Sequence, residues 1–447
     1  MAKELLEKSL ITSNFQLEEI FYSGIKNISR IGIEFEKLPL YNNDFKAVSY
    51  YGKNGISDFL KVYAKTENWQ KVKFDENIIG LDTIDKNISL EPGSQFEISL
   101  FPQNNIHQIK EQIDKYNSKT AFLAEKMGFS WIGYGIQPVS TYHTIDIIPK
   151  KRYEFMSNYL TKVANLPLVM MRETAGVQAA FDYKSEEDAI NKFRLALKLS
   201  PIVTAMFANS PIRQSEDTGY KSFRATSWLN TDKQRCGLVS EKLFDSNYEF
   251  TFKDYVEILL DIPMIFMEKE GKFIPAFNIT FREYLKNGYE GYNASLNDWY
   301  LHMNLYFPDV RLASYLEIRN HDSQRSELIP SIPALWKGIL YNQNSFDAVN
   351  NLLSKFNYQD FETMRNLAPK HGLDFEVNGY KIADIAKEIL AFSKAGLIGA
   401  NLNEEIYLEP IEELVNDRLT PADLIIKNWH GYWNKDIAKL IEYSKLL

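Results

Sequence analysis

Residues 30–38 read RIGIEFEKL, and the alternation within them sets the fold around them. On a strand, Ile31, Ile33 and Phe35 share one face while Gly32, Glu34 and Glu36 share the other. One side can seal a core while two carboxylates project together from the opposite side. Three further segments repeat the device. In SLEPGSQFEISL (89–100), after the turn at Pro92 and Gly93, Phe96, Ile98 and Leu100 oppose Gln95, Glu97 and Ser99. In GVQAAFDY (176–183), Val177, Ala179 and Phe181 oppose Gln178, Ala180 and Asp182; in SYLEIRN (314–320), Leu316 and Ile318 oppose Tyr315, Glu317 and Arg319. Ordinary antiparallel strands with solvated outer faces are one reading of this pattern. The outward residues are mostly acidic or amide, however, and like charges on neighbouring strands repel unless something neutralises them. Mg²⁺ does so with hard oxygen ligands, keeping some water and bridging to phosphates, so a phosphate-handling surface is the second reading.

Outward from these strands, alternating runs mix with helical stretches between about residues 28 and 340, and from about 345 onward the pattern is almost wholly helical. Ser185, with Asp188 three residues later, predicts a capped helix that stops at Pro201. Apolar recurrence predicts others over 107–127, 251–262, 296–306, 345–356, 380–395 and 435–446. Loops are expected at 209–222 and 286–295, the first long enough to be a lid.

Composition removes several function classes. The 447 residues are 45% apolar and can bury a large core, as two or three domains or as one α/β or α+β unit. Lys and Arg number 51 against 59 Asp and Glu, a net charge of −8, which offers no basic field for nucleic acid. The single cysteine, Cys236, excludes an internal disulfide and fits a reducing compartment. The opening residues lack the apolar run of a signal peptide, and no stretch approaches the ~18 to 20 apolar residues of a membrane span. The expectation is a soluble, cytoplasmic protein. There is no GxxxxGK[ST] loop, no GxGxxG after a strand and no HExxH, and the six histidines are scattered.

The polar-face strands also carry a resemblance. GIEFEK, LEPGSQFEIS, GIQP (135–138), KKRYEFM (150–156), VQAAFDY, LSPIVTAMFANSP (199–211), NTDKQRCG (230–237), FPDVRLASYLEIR (307–319) and IPALWKGILY (332–341) stand in the order and spacing of glutamate–cysteine ligases of the plant and proteobacterial type. The chain resembles that family, itself distantly related to glutamine synthetase, from about Arg30 to Tyr341.

The resemblance implies an α+β, glutamine synthetase-like fold: a curved, largely antiparallel sheet forming an active-site funnel, with helices packed outside. A catalytic unit over 1–344 and a helical region over 345–447, packed on the same unit, are expected. The implied reaction joins the γ-carboxylate of L-glutamate to the amine of L-cysteine through an acyl phosphate, with ATP as co-substrate and two or three Mg²⁺ ions. Glu34, Glu36, Glu91, Glu97 and Glu317 are the implied metal ligands. Gln178 lies where a histidine serves the metal site in more distant relatives. Arg319 is the implied contact to the transferring phosphoryl group, acting with Glu317; Arg152, Arg224 and Trp228 are candidates for the glutamate site, and Arg235 for the phosphates. A monomer or weak homodimer is expected, without nucleic-acid or membrane partners. Thr226 replaces a histidine found in many plant sequences, and plant-type disulfide control is not expected with one cysteine. A different acceptor amine, or a non-catalytic ATP- and metal-binding homologue, are the alternative readings.

Overall fold

The computed structural model describes Leu6 and residues 9–447; most of the opening residues on which the signal-peptide reading rests lie outside them. Nine strands form one sheet: β1 (Ile31–Tyr41), β2 (Gln70–Phe74), β3 (Asn77–Asp82), β4 (Lys86–Leu90), β5 (Phe96–Gln103), β6 (Phe129–Ile132), β7 (Gly176–Phe181), β8 (Val310–Leu312) and β9 (Leu316–Asp322). Their order is β8-β9-β7-β1-β5-β4-β3-β2, with β6 on the far half of β1, and every pairing within it is antiparallel. The four segments with polar faces are therefore four consecutive neighbours, β9-β7-β1-β5. Their apolar faces bury Ile31, Ile33, Phe35, Phe96, Ile98, Val177, Ala179, Phe181, Leu316 and Ile318 in the main core. Each large side chain sealed this way contributes about 1.5–3 kcal/mol. The helices Ile106–Lys126, Glu186–Met206 and Ser331–Leu340 pack behind this face, so the polar face is left free of helix packing at its centre.

The helix opened by Ser185 is capped as its sequence predicts, Ser185 Oγ accepting from Asp188 N at 3.0 Å. It does not stop at Pro201 but runs on to Met206. Proline removes one helical donor, yet this helix is buried along most of its length, and Asn320 Nδ2 and Thr204 Oγ1 both donate to the Ser200 carbonyl, supporting the backbone there. Packing outweighs the local break. Segment 209–222 holds a two-strand ladder, Ile212–Arg213 with Glu216–Asp217, and is fastened at both ends. Beyond residue 345 the chain is helical apart from the short pair Glu376–Val377 and Tyr380–Lys381. The end of the chain ties to β6 through Leu446 N to Trp131 O and Gly133 N to Ser444 O, both 2.9 Å. Among the described residues no helix is long and apolar enough to cross a membrane.

Two buried histidines make stability pH-dependent. Burial, followed by the charge of Arg235, pushes His302 down to about 3, and burial pushes His321 down to about 3. Trp336 Nε1 donates to His321 Nε2 at 2.9 Å, which leaves Nδ1 to donate to Val177 O at 3.0 Å. Both rings are neutral in the folded state, whereas the unfolded chain protonates near 6.5, so each ring costs stability as pH falls from 6.5 to 3, about 1.4 kcal/mol per pH unit. His302→Gln is expected to flatten the fall in unfolding free energy between pH 6 and 4 by about that slope. Denaturant unfolding across this range checks it, and an unchanged slope contradicts it.

Candidate active site

The polar face lines a cavity of about 300 Å³ whose walls hold Glu34, Glu36, Glu91 and Glu97 together with Arg152, Arg224, Arg311 and Arg319. Strand register explains the acidic side. Glu36 lies directly opposite Glu97 on β5, and Glu34 lies between Ser99 on β5 and Gln178 on β7. A carboxylate opposite a carboxylate destabilises a sheet. The cost is visible in the acidities. Burial, then the charge of Glu317, pushes Glu34 up to about 7; burial, then Glu91, does the same to Glu36. Burial, then Glu34, Glu91 and Glu36, raises Glu97 well above the usual carboxylate range. Glu97 accepts from Ser89 Oγ at 2.8 Å and Glu36 from Gly176 N at 2.5 Å, which fixes both but neutralises neither.

Glu91 reaches the cavity through the turn that precedes β5. Gln95 clamps this turn, its Oε1 accepting from Gly93 N at 2.8 Å and its Nε2 donating to Met171 O and Thr174 O at 3.1 and 2.9 Å. A Cβ on Gly93 would fall 2.2 Å from Arg172 O, so only glycine lets the turn lie against that backbone. Gln95 is thus a strut, and Glu91 is presented by a rigid bend.

Glu317 behaves differently from the other acids. Burial alone would raise it, but Arg311 and Arg319 hold it below the usual range. Arg311 Nε stands 2.8 Å from Glu317 Oε2 and Nη2 3.1 Å from Oε1, while Arg319 Nη1 donates to Glu317 Oε2 at 2.9 Å and to Gln178 Oε1 at 2.6 Å. Arg319 sits in an irregularity of the β9–β7 register between Ile318 and His321, a device that re-aims a side chain. Arg311 was not foreseen, although the tight reversal at Ala313–Tyr315 puts it opposite Glu317.

The basic wall carries unmet hydrogen-bonding capacity. Arg152 Nε, Arg224 Nε and Trp228 Nε1 are buried donors with no partner, and all three residues line this cavity. Unpaired buried donors are costly, so the wall is built for an acceptor-rich ligand. Arg152 opens the helix Arg152–Val163 and Arg224 lies in the first turn of Phe223–Leu229, capped by Ser222. Beside Arg152, burial and that guanidinium push Lys150 down to about 8.

Arg235, expected at the phosphates, is not in the cavity. It is fully buried, with Nε on Asp232 Oδ2 at 2.9 Å, Nη1 on Leu305 O at 3.1 Å and Nη2 on Pro263 O, its guanidinium over the Tyr159 ring. All three nitrogens are spent inside the fold, so its role is to tie the 232–237 turn to its neighbours.

Past Glu34 the polar face continues into a second hollow of about 190 Å³. Gly32 and Ala180, paired across β1 and β7, are the small side chains that open it, and Lys26, Arg30, Asp182 and Tyr315 ring it. Glu34 lines both spaces.

The four carboxylates offer the hard oxygen donors Mg²⁺ takes, and the raised pKa values of Glu34, Glu36 and Glu97 mark a charge excess that a cation would relieve. Among the described residues no three acidic, histidine or cysteine side chains close a metal cage by themselves.

An antiparallel sheet with helices behind it and a face of carboxylates and arginines is the glutamine synthetase-like architecture. The same fold occurs in the glutamate–cysteine ligase of Francisella tularensis, solved in complex with AMP: TM-score 0.57 and 13% identity, covering 93% of this chain and 87% of that one. Residues 30–442 match Glutamate-cysteine ligase family 2. The chain is 35% identical over 416 residues to the chloroplastic glutamate–cysteine ligase of Nicotiana tabacum and 36% over 420 residues to that of Arabidopsis thaliana. These alignments cover 92% and 93% of this chain and 78% and 79% of those proteins. The chain belongs to Glutamate-cysteine ligase family 2.

Proposed function

We propose that the protein joins the γ-carboxylate of L-glutamate to the amine of L-cysteine at the expense of ATP, giving γ-glutamylcysteine, ADP and phosphate, the first step of glutathione synthesis. The observation that carries this reading is the segregation of charge in one cavity: mutually repelling carboxylates at one side, arginine and tryptophan donors without partners at the other. A dicarboxylic substrate needs both, one end gripped and the other presented to phosphate.

In this reading Arg152 and Arg224 hold the α-carboxylate, with Trp228 beside it, and their unpaired nitrogens find their acceptors there. The γ-carboxylate oxygen attacks the terminal phosphorus of ATP, the bond to the ADP oxygen breaks, and an acyl phosphate forms. The amine then attacks the acyl carbon and phosphate leaves. Arg319 turns its fork to the transferring phosphoryl group, held in place by Glu317 and Gln178. Glu34, Glu36, Glu91 and Glu97 would hold Mg²⁺, with Glu317 and Gln178 at the edge of that set; the metal supplies charge neutralisation between the phosphates and the incoming carboxylate. The adenosine end of the nucleotide fits the hollow at Gly32 and Ala180, since Glu34 joins that hollow to the carboxylates.

Cysteine as acceptor rests on the family. Purified protein with ATP, Mg²⁺ and glutamate is expected to release ADP in proportion to γ-glutamylcysteine when cysteine is the amine. Ranking a panel of amino acids and amines by kcat/KM checks it. A panel in which another amine leads would keep the ligase chemistry and replace the acceptor; ADP release that needs no amine would sink the ligase reading.

A further inference from the structure

We infer that Asp322 is a positioning residue that sets Arg224 for the donor carboxylate and fastens segment 209–222 in the same act; this rests on the proposed role of Arg224. Asp322, the last residue of β9, lies directly opposite Gly176 on β7 and is buried. Its Oδ2 accepts from Asn209 N at 2.8 Å and Ser210 Oγ at 2.7 Å, and its Oδ1 from Ser222 Oγ at 2.8 Å. One carboxylate thus holds both ends of the 14-residue segment expected from its sequence to be a loop or lid. The fit is close: a Cβ on Gly135 would fall 2.7 Å from Asp322 Cγ.

The same carboxylate addresses Arg224. Arg224 Nη1 stands 4.0 Å from Asp322 Oδ1, Arg224 N donates to Ser210 Oγ at 3.2 Å, and Ser222, bonded to Asp322, caps the helix that carries Arg224. On its other side the guanidinium lies flat on Gly176, where a Cβ would come 2.4 Å from Nη2 and 2.8 Å from Cζ. Nη2 donates to Arg319 O at 3.0 Å. With charge behind, backbone beneath and one nitrogen spent on the Arg319 carbonyl, the guanidinium is held in the cavity wall with its Nε unpartnered. Gly176 N in turn donates to Glu36, so the arginine seat and the carboxylate face share one residue.

Asp322 needs its charge for Arg224 and its two acceptor oxygens for segment 209–222. Asp322→Asn keeps the shape, removes the charge and turns one acceptor into a donor facing donors. It is expected to raise the KM for glutamate by about 10- to 100-fold, since a small misplacement of a positioning group has effects of that size. The KM for ATP and kcat are expected to stay within a few-fold. The deciding measurement is a double-mutant cycle with Arg224→Ala. If Asp322 acts through Arg224, its effect on the glutamate KM vanishes in the Arg224→Ala background; an additive effect, or equal losses for ATP and glutamate, overturns the inference. Should Asp322→Asn not fold, Ser210→Ala removes the hydroxyl that joins Asp322 to the Arg224 backbone and is expected to raise the glutamate KM selectively; no selective rise overturns the inference. Failure of the ligase reading shows up separately, as wild-type protein that turns over no glutamate.

Discussion

Glu97→Gln is expected to cut kcat/KM by at least about 10²-fold while making the metal-free protein more stable. The two effects have one cause. Glu97 lies opposite Glu36 and near Glu34 and Glu91, and burial together with these charges raises its pKa well above that of a free carboxylate. A carboxyl whose folded pKa is raised contributes stability at low pH and loses it as pH climbs through the folded value. The same sign holds for Glu34 and Glu36, both pushed up to about 7, so the loss runs from about pH 4.5 upward. Glutamine still accepts from Ser89 Oγ and no longer ionises, so the Tm gain should be absent in acid and grow toward neutral pH. Mg²⁺ should raise the Tm of the wild type more than that of the variant. A purely structural Glu97 would give lower stability and lower activity together.

Arg319→Lys is expected to lower kcat by about 10²- to 10³-fold with the KM values for glutamate and ATP changed only a few-fold. Lysine keeps the positive charge but loses the planar fork. Here the fork is placed by acceptors on two strands, Gln178 and Glu317, and the backbone carbonyl of the same residue takes a hydrogen bond from Arg224. A lysine ammonium can take over the bonds that Nη1 makes to Gln178 and Glu317 and neutralise Glu317 as arginine does, yet it leaves no second nitrogen of a planar fork to face the phosphoryl group. Steady-state kinetics separates the possibilities. An arginine serving only as the ion-pair partner of Glu317 would leave kcat intact in the lysine variant and move only the unfolding midpoint.

The acidic side of the site was legible in sequence because a strand has period two. Once Ile31, Ile33 and Phe35 were assigned to a core, Glu34 and Glu36 had to share the other face, and the same logic delivered Glu97, Gln178, Glu317 and Arg319. What alternation cannot encode is which strands become neighbours. The direct opposition of Glu36 and Glu97, which makes the face electrostatically costly, exists only once β1 and β5 pair in a particular register. Arg311 escaped notice for a related reason: its role comes from a hairpin that turns it onto Glu317. Arg235 failed in the opposite direction. Its motif suggested a phosphate contact, but only the fold reveals that Asp232, Leu305 and Pro263 consume its nitrogens. Pro201 misled as well, since a helix buried along most of its length tolerates the lost donor that would end an exposed one. Asp322 carries no local signal at all; four donors from residues 209–224 converge on it through tertiary structure.

In the proposed reaction the carboxylate and arginine face activates the γ-carboxylate of glutamate by phosphorylation. Glutamate labelled with ¹⁸O in its γ-carboxylate, turned over with ATP, Mg²⁺ and cysteine, tests it most directly by mass spectrometry of the inorganic phosphate. One ¹⁸O is expected in phosphate for each γ-glutamylcysteine formed. Phosphate free of label, or released at the same rate without glutamate, would contradict it.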